Sequence, residues 1–391
     1  MRNLKKIIAL SSIALTLTAS YGCEPKVKEK KQILLAESVD PNKETRNNTV
    51  KIALLLDTSN SMDGLINQAK SQLWDIVNEF THAKCGNESR PELQIALYQY
   101  GNDDLSYREG YIQQVLNFSS DLDEISEKLF SLTTNGGEEY CGEVIQTSLK
   151  QLEWGKNPDN LKMIFIAGNE PFTQGKLNYK AAVGNAKEKD VVVNTIFCGN
   201  YEQGIETEWK KGAQLTGGEY MAIDHNREVV HINTPYDDII IKLNSKLNKT
   251  YVGYGSRGAS KMEMQVTQDD NALALEEVVA VKRAVSKSSR LYNNKSWDLV
   301  DASAEADFEL EKLDEESLPK DLKGKSKKEI EKYIETKRIE REEIQNEIAE
   351  LNRKRQEYIS KNQKENAEGE LESAMLKAIK KQAGLKNYSW D

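Results

Sequence analysis

The stretch Val50-Lys51-Ile52-Ala53-Leu54-Leu55-Leu56-Asp57-Thr58-Ser59-Asn60-Ser61 decides how this chain folds. Its apolar run, broken only by Lys51, reads as a strand covered on both faces, the pattern of a parallel sheet flanked by helices. Asp57, Ser59 and Ser61 then follow at alternate positions, just before a segment of helical periodicity. In an extended turn, alternate residues point toward one spot above the strand's carboxyl end, the edge where open α/β sheets seat ligands. A carboxylate with two hydroxyls suits a hard divalent cation, Mg²⁺ ahead of Mn²⁺ or Ca²⁺, that keeps several waters. The plainer alternative is that Ser59 or Ser61 caps the helix and Asp57 closes a turn.

Working outward, strand and helix patterns alternate. Leu65, Ile66, Ala69, Leu73, Ile76, Val77 and Phe80 recur at helical spacing. Residues 93–100 and 111–118 read as strands joined by the polar connection 101–110, short enough for a hairpin and hence one antiparallel edge strand. Helices are expected at 121–132, 144–152, 179–187, 205–215 and 237–247, and further strands at 161–167, 191–197 and 219–223. The pattern predicts an α/β fold with a doubly wound, mostly parallel six-stranded sheet, one antiparallel edge strand and a helical, coiled-coil-like C-terminal extension.

From Val50 to about Gly255 the sequence resembles the von Willebrand factor type A domain, whose metal-ion-dependent adhesion site opens with Asp-x-Ser-x-Ser after the first strand. The resemblance implies a Thr from a second loop and an Asp after the fourth strand. Here the second loop is Thr133-Thr134-Asn135-Gly136-Gly137-Glu138-Glu139-Tyr140-Cys141-Gly142, and alignment on its glycines puts Glu139 where the Thr belongs. The fourth strand ends Ile166-Ala167-Gly168-Asn169-Glu170, which puts Ala167 at the Asp. Two outcomes stay open. Asp57 and Glu139, with Ser59 and Ser61, hold one divalent ion together, Asn169 or Glu170 contributing through water; or the site is degenerate. Two direct carboxylates leave an ion less electrophilic than one does, so an acidic partner is attracted less strongly.

The chain's 391 residues leave room for that domain and large additions, and its net charge of -9 argues against a general nucleic-acid binder. Mean hydropathy of -0.67 with 30% charged residues requires much solvated helix or linker. His82, His225 and His231 show no metal-ligand spacing.

At the amino terminus, basic Arg2, Lys5 and Lys6 precede the apolar stretch 7–19 and then Ser20-Tyr21-Gly22-Cys23, a secretory leader too short to remain as a membrane span. Gly22-Cys23 resembles a bacterial lipoprotein cleavage site, so Cys23 is expected to carry lipid and to anchor the protein in the cell envelope, on the periplasmic or surface side. Residues 24–48 read as a tether. With Cys23 lipidated, Cys85, Cys141 and Cys198 remain. Cys141 lies in the ligand loop and Cys198 ends a strand at the same edge, so a Cys141–Cys198 disulfide is expected.

The organisation is therefore a leader over 1–23, a tether over 24–48, the α/β domain over 49–255, a helix and acidic linker over 256–321, a charged coiled-coil-like helix over 322–365 and an amphipathic tail over 366–391. Residues 262–287 carry a largely helical pattern. In the long helix Ile330, Ile334, Lys337, Arg341, Ile344, Ile348, Leu351, Arg355 and Tyr358 step 4-3-4-3, a seam interrupted by basic residues. It packs within the chain, against the helix around Met262, or self-associates with a second copy.

The functional expectation is a membrane-anchored, divalent-metal-dependent binding or assembly module for a protein or glycan ligand. The alternatives are a metal-free scaffold acting through its helical tail, or a hydrolase in which a metal activates water. The hydrolase lacks a histidine base at a recognisable spacing and a phosphate-cradling glycine loop.

Overall fold

Strand β1 (Thr49–Asp57) shows why its sequence is apolar throughout. Val50, Ile52, Leu54 and Leu56 enter the core on one side of the sheet, and Ala53 and Leu55 the core on the other. Burial on both faces removes the polar alternation that a one-sided sheet would show. In this computed structural model residues 48–60, 62–85, 90–224, 232–362 and 370–390 are described, those at 370–374 as helical backbone only. The leader, Cys23 and the tether up to Asn47 lie outside the described residues, as does Ser61.

The elements then follow as α1 (Asp63–Thr81), β2 (Ala83–Cys85), β3 (Glu92–Tyr100), β4 (Ile112–Ser119), α2 (Leu122–Phe130), α3 (Cys141–Gln151) and β5 (Leu161–Gly168). After them come α4 (Tyr179–Glu188), β6 (Val192–Cys198), α5 (Tyr201–Glu206), α6 (Trp209–Gln214), β7 (Tyr220–Ile223) and α7 (Asp237–Asn248). The six-stranded sheet has the order β4-β3-β1-β5-β6-β7. Only β4 is antiparallel, through the expected hairpin with β3. Helices α1, α2 and α7 bury one face, and α3, α4 and α6 the other. This is the doubly wound architecture expected from the sequence.

Two helical patterns break where the sequence reads as continuous. The expected helix over 205–215 is divided into α5 and α6 by Glu208, whose φ of 72° no helix accommodates. Residues 262–287 form α8 (Gly258–Leu275) and α9 (Glu277–Lys287), separated by Glu276 in extended backbone (φ -164°, ψ 148°). The break turns α9 back against α1 and α7 while α8 covers α2.

Beyond these, α10 (Leu299–Ala302) leads to α11 (Lys327–Asn362), 36 residues and so about 54 Å long. Its seam faces this chain's own body, on α7, α9 and α10, so of the expected helix over 262–287 it meets the second half, α9. Two of the three basic residues that interrupt the seam join its buried isoleucines in fastening it. Arg341 donates to Asp298 (2.8 Å), Asp301 (2.6 Å) and the Thr250 carbonyl (2.9 Å), and lies 4.0 Å over the Tyr251 ring. Arg355 donates to Asp237 at 2.8 Å. Helix α12 (Glu370–Gly384) packs on α1 and β7, and its Gln382 forms a buried amide pair with Asn194 of β6. Strand β8 (Tyr388–Trp390) then pairs antiparallel with β2, and Trp390 Nε1 donates to the Glu79 carbonyl at 3.2 Å.

Candidate functional site

The carboxyl end of β1 delivers Asp57 into a space between β3 and β5, completely buried. Its Oδ1 accepts from the Ser59 backbone N–H at 2.7 Å, which folds the chain sharply after the strand. Helix α1 begins later, at Asp63, and its N-cap Met62 makes no side-chain cap. Ser59 is therefore not a capping residue. Its hydroxyl is buried and has no hydrogen-bond partner, and the same holds for Asp57 Oδ2.

Glu139 arrives from the loop before α3 and is 3% exposed. Its backbone N–H donates to Gln174 Oε1 at 3.2 Å, and its Oε2 accepts a long bond from the Glu170 N–H at 3.4 Å. The loops approach closely because Gly101 and Gly168 carry no side chain. A Cβ on Gly101, which sits at φ +75°, would lie 2.7 Å from Glu139 Cγ and 2.9 Å from Asp57 Oδ1. A Cβ on Gly168 would lie 3.2 Å from Asp57 Oδ2. Strand β5, the fourth of the sheet in sequence, supplies no carboxylate, since Ala167 sends its methyl into the core beneath.

Electrostatics make the pair unusual. Burial pushes the Asp57 carboxyl well above the usual carboxylate range, and the neighbouring Glu139 carboxyl pushes it further. Burial raises Glu139 as well, opposed by the polar groups of Asp57 and Ser59 beside it. Two carboxyls in so little water resist carrying two negative charges. A divalent cation relieves that resistance, and the orphaned Asp57 Oδ2 and Ser59 Oγ have the oxygen chemistry it takes. Among the described residues no three His, Cys, Asp or Glu side chains converge as a metal cluster.

Of the expected outer residues, Glu170 reaches the site through its backbone N–H while its side chain is exposed, and Asn169 is half-buried next to Gly168. The expected disulfide does not form. Cys141 and Cys198 are buried free thiols on opposite faces of the sheet, Cys141 under α3 and Cys198 in the core shared with α1 and α7. Tyr100 reaches Cys141 instead, its hydroxyl 3.8 Å from Sγ.

Sequence reasoning missed two residues that hold the loops. Asn102, 3% exposed, donates to the Thr58 carbonyl (3.3 Å) and the Thr133 carbonyl (3.0 Å) and accepts from the Asp104 N–H (2.9 Å). Tyr100 donates to the Ala167 carbonyl at 2.9 Å and so ties β3 to β5 across the site. The available signal was the run Gly101-Asn102-Asp103-Asp104 directly after an apolar strand, a turn rich in groups that bond the backbone.

Residues 51–211 match the family model of the von Willebrand factor type A domain. No curated protein is similar enough in sequence to count as a relative. Among solved structures, proximal thread matrix protein 1 from the mussel byssus is 15% identical, with 45% of this chain and 41% of that one covered at a TM-score of 0.34. This chain thus spans about two fifths of the mussel protein's length. The conserved hypothetical protein BatB from Bacteroides thetaiotaomicron is 16% identical over 45% of this chain and 90% of its own, at a TM-score of 0.34. The SpRpn10 VWA domain is 14% identical over 45% and 88%, also at 0.34. Domains of the matched family generally mediate protein interactions or adhesion, often with a divalent cation at this edge of the sheet. Residues 51–211 of this chain are a von Willebrand factor type A domain.

Proposed function

We propose that this protein is an envelope-anchored binding module whose upper sheet edge docks a protein ligand with the help of one divalent cation. Asp57, Glu139 and Ser59 hold the cation, with Ser61, which lies outside the described residues, as the further hydroxyl the sequence offers. When bound, the cation supplies an electrophilic point for a ligand oxygen. The chain's own groups do the rest. Asn102 and Tyr100 fix the three loops at their backbone carbonyls, and Gly101 and Gly168 keep the space open. The observation that carries this reading is the meeting of two buried carboxyls from separate loops, with Asp57 Oδ2 and Ser59 Oγ left without partners.

Calorimetric titration of Mg²⁺, Mn²⁺ and Ca²⁺ into the protein tests it. Binding that disappears in Asp57→Ala and weakens strongly in Glu139→Gln is expected. Absence of heat with all three ions at millimolar levels leaves a metal-free scaffold. The anchor rests on the basic head, apolar stretch and Gly22-Cys23 alone. Cys23→Ser is expected to release the protein from the membrane fraction, and retention there contradicts lipidation at Cys23.

A further inference from the structure

Charge on the edge around Asp57 is distributed unevenly. Residues 101–111 carry Asp103, Asp104 and Glu109 against Arg108 alone, and residues 133–143 carry Glu138, Glu139 and Glu143 with no lysine or arginine. Elsewhere carboxylates find cations: Asp75 with Lys282 (2.7 Å), Asp121 with Lys261 (2.6 Å), Asp123 with Arg283 (2.7 Å) and Asp237 with Arg355 (2.8 Å). At this edge the partners are neutral. Thr134 Oγ1 donates to Asp63 at 2.6 Å, Asn135 Nδ2 to Asp104 at 3.0 Å and Gln174 Nε2 to Glu138 at 3.1 Å. Among the described residues Asp63, Asp103, Asp104, Glu109 and Glu138 have no Lys or Arg at ion-pair distance. Hydrogen bonds from amides and hydroxyls fix these carboxylates without cancelling their charge.

Two further observations point out of the molecule. Asp57 Oδ2 and Ser59 Oγ, both more than nine-tenths buried at the centre of the edge, have no partner within it. On its rim Tyr107 is 68% exposed and already carries a cation, with Arg108 5.8 Å from its ring centroid. Tyr111 and Tyr140 stand edge to face behind it at 6.1 Å. Uncancelled carboxylates beside accessible tyrosine rings are the surface that lysine and arginine side chains recognise, by charge and by the ring face together.

We propose that the partner docks at this edge through a basic segment, its lysines or arginines set against Asp103, Asp104, Glu109 and Glu138 and beside Tyr107. The inference rests on the reading of this edge as the docking surface and adds the chemistry of the partner. An acidic segment would meet like charge on both loops. The basic segment reaches the centre with a neutral oxygen, a backbone carbonyl or a hydroxyl.

The test uses the full chain in millimolar Mg²⁺ and two fluorescent peptides, one with four lysines spaced by Gly-Ser and one with four glutamates in their place. Fluorescence anisotropy is expected to show binding of the lysine peptide, weakening steeply as salt rises, and none of the glutamate peptide. The isosteric triple variant Asp103→Asn/Asp104→Asn/Glu138→Gln should weaken the lysine peptide about tenfold. The charge-matched control Asp270→Asn/Glu343→Gln/Glu347→Gln, away from the edge, should leave it within about twofold. Thermal unfolding confirms that both variants fold. Equal losses in the two triples mean attraction to net charge only and overturn the proposal, as does preference for the glutamate peptide. Mg²⁺ calorimetry on the same samples separates the two readings, because intact Mg²⁺ binding with no edge-specific lysine preference removes this inference alone.

Discussion

Two of the places where the molecule buries carboxylates are treated in opposite ways. Where α2, α8 and α9 meet, Asp123 and Asp269 face fully buried Arg283 at 2.7 and 2.6 Å, and Lys287 adds a third contact to Asp269 at 2.7 Å. Burial alone would raise Asp269, but Lys287 and Arg283 hold it far below the usual range. At the sheet edge, burial and the neighbouring Glu139 drive Asp57 the other way, and among the described residues no lysine or arginine pairs with it. The first arrangement sets two carboxylates against two cations of the same chain and fastens the helical extension to the domain. The second leaves a charge deficit that an external cation can fill.

Removing Arg283 should break that contrast most severely. Arg283→Ala leaves Asp123 in the interior without a cation and Asp269 with Lys287 alone, and should lower stability by about 3–5 kcal/mol, read from urea unfolding. A loss below about 1 kcal/mol would show that the network behaves like a surface pair.

Gly101→Ala should cost about 1–3 kcal/mol, because φ +75° disfavours a side chain and the added methyl meets Glu139 and Asp57. Mg²⁺ binding should be lost with it. An alanine variant that folds and binds the ion normally would show that the loops have slack.

Asp57→Asn should have the opposite sign. Because the folded state raises this carboxyl, its ionised form opposes folding at neutral pH. In chelator-treated protein the amide should stabilise by about 1 kcal/mol, while stabilisation by added Mg²⁺ disappears. Destabilisation of the chelated variant by a similar amount would mean that Asp57 is structurally satisfied as it stands.

A pH-dependent effect concerns Asp301, which burial and then Asp298 push from an ordinary 3.8 up to about 6 despite Arg341. A carboxyl raised on folding gives stability that is complete below its unfolded value and is lost as pH rises through the folded one. The wild type should therefore lose stability relative to Asp301→Asn from about pH 4 to about pH 6 and run parallel to it above. Parallel curves across the whole range would show that Arg341 neutralises both aspartates.

How far the sequence could be read follows from which forces are local. The β1 run, the α1 stripe and the β3–β4 hairpin depend on short-range periodicity and turn chemistry, and they were legible. Asp57 is legible at the end of β1 and Glu139 through the glycines of its loop, and the structure brings both to one point. The breaks at Glu208 and Glu276 were hidden because residues of good helix propensity adopt non-helical backbone where packing turns the chain. The β2–β8 ribbon joins segments some 300 residues apart, each of three residues, too short to show a pattern. Arg341 and Arg355 looked like faults in a coiled-coil seam until Asp298, Asp301 and Asp237 appeared opposite them. For Cys141 and Cys198 the edge of the sheet was legible but the face was not, and a thiol pair needs both.

The central claim is that Asp57 and Glu139 seat one cation between them. Crystals of the full chain grown with Mn²⁺ and measured for anomalous scattering address it most directly. The account predicts a single strong peak bonded to a carboxylate oxygen of each residue. No peak there, or an ion held by Asp57 while Glu139 points to solvent, contradicts it.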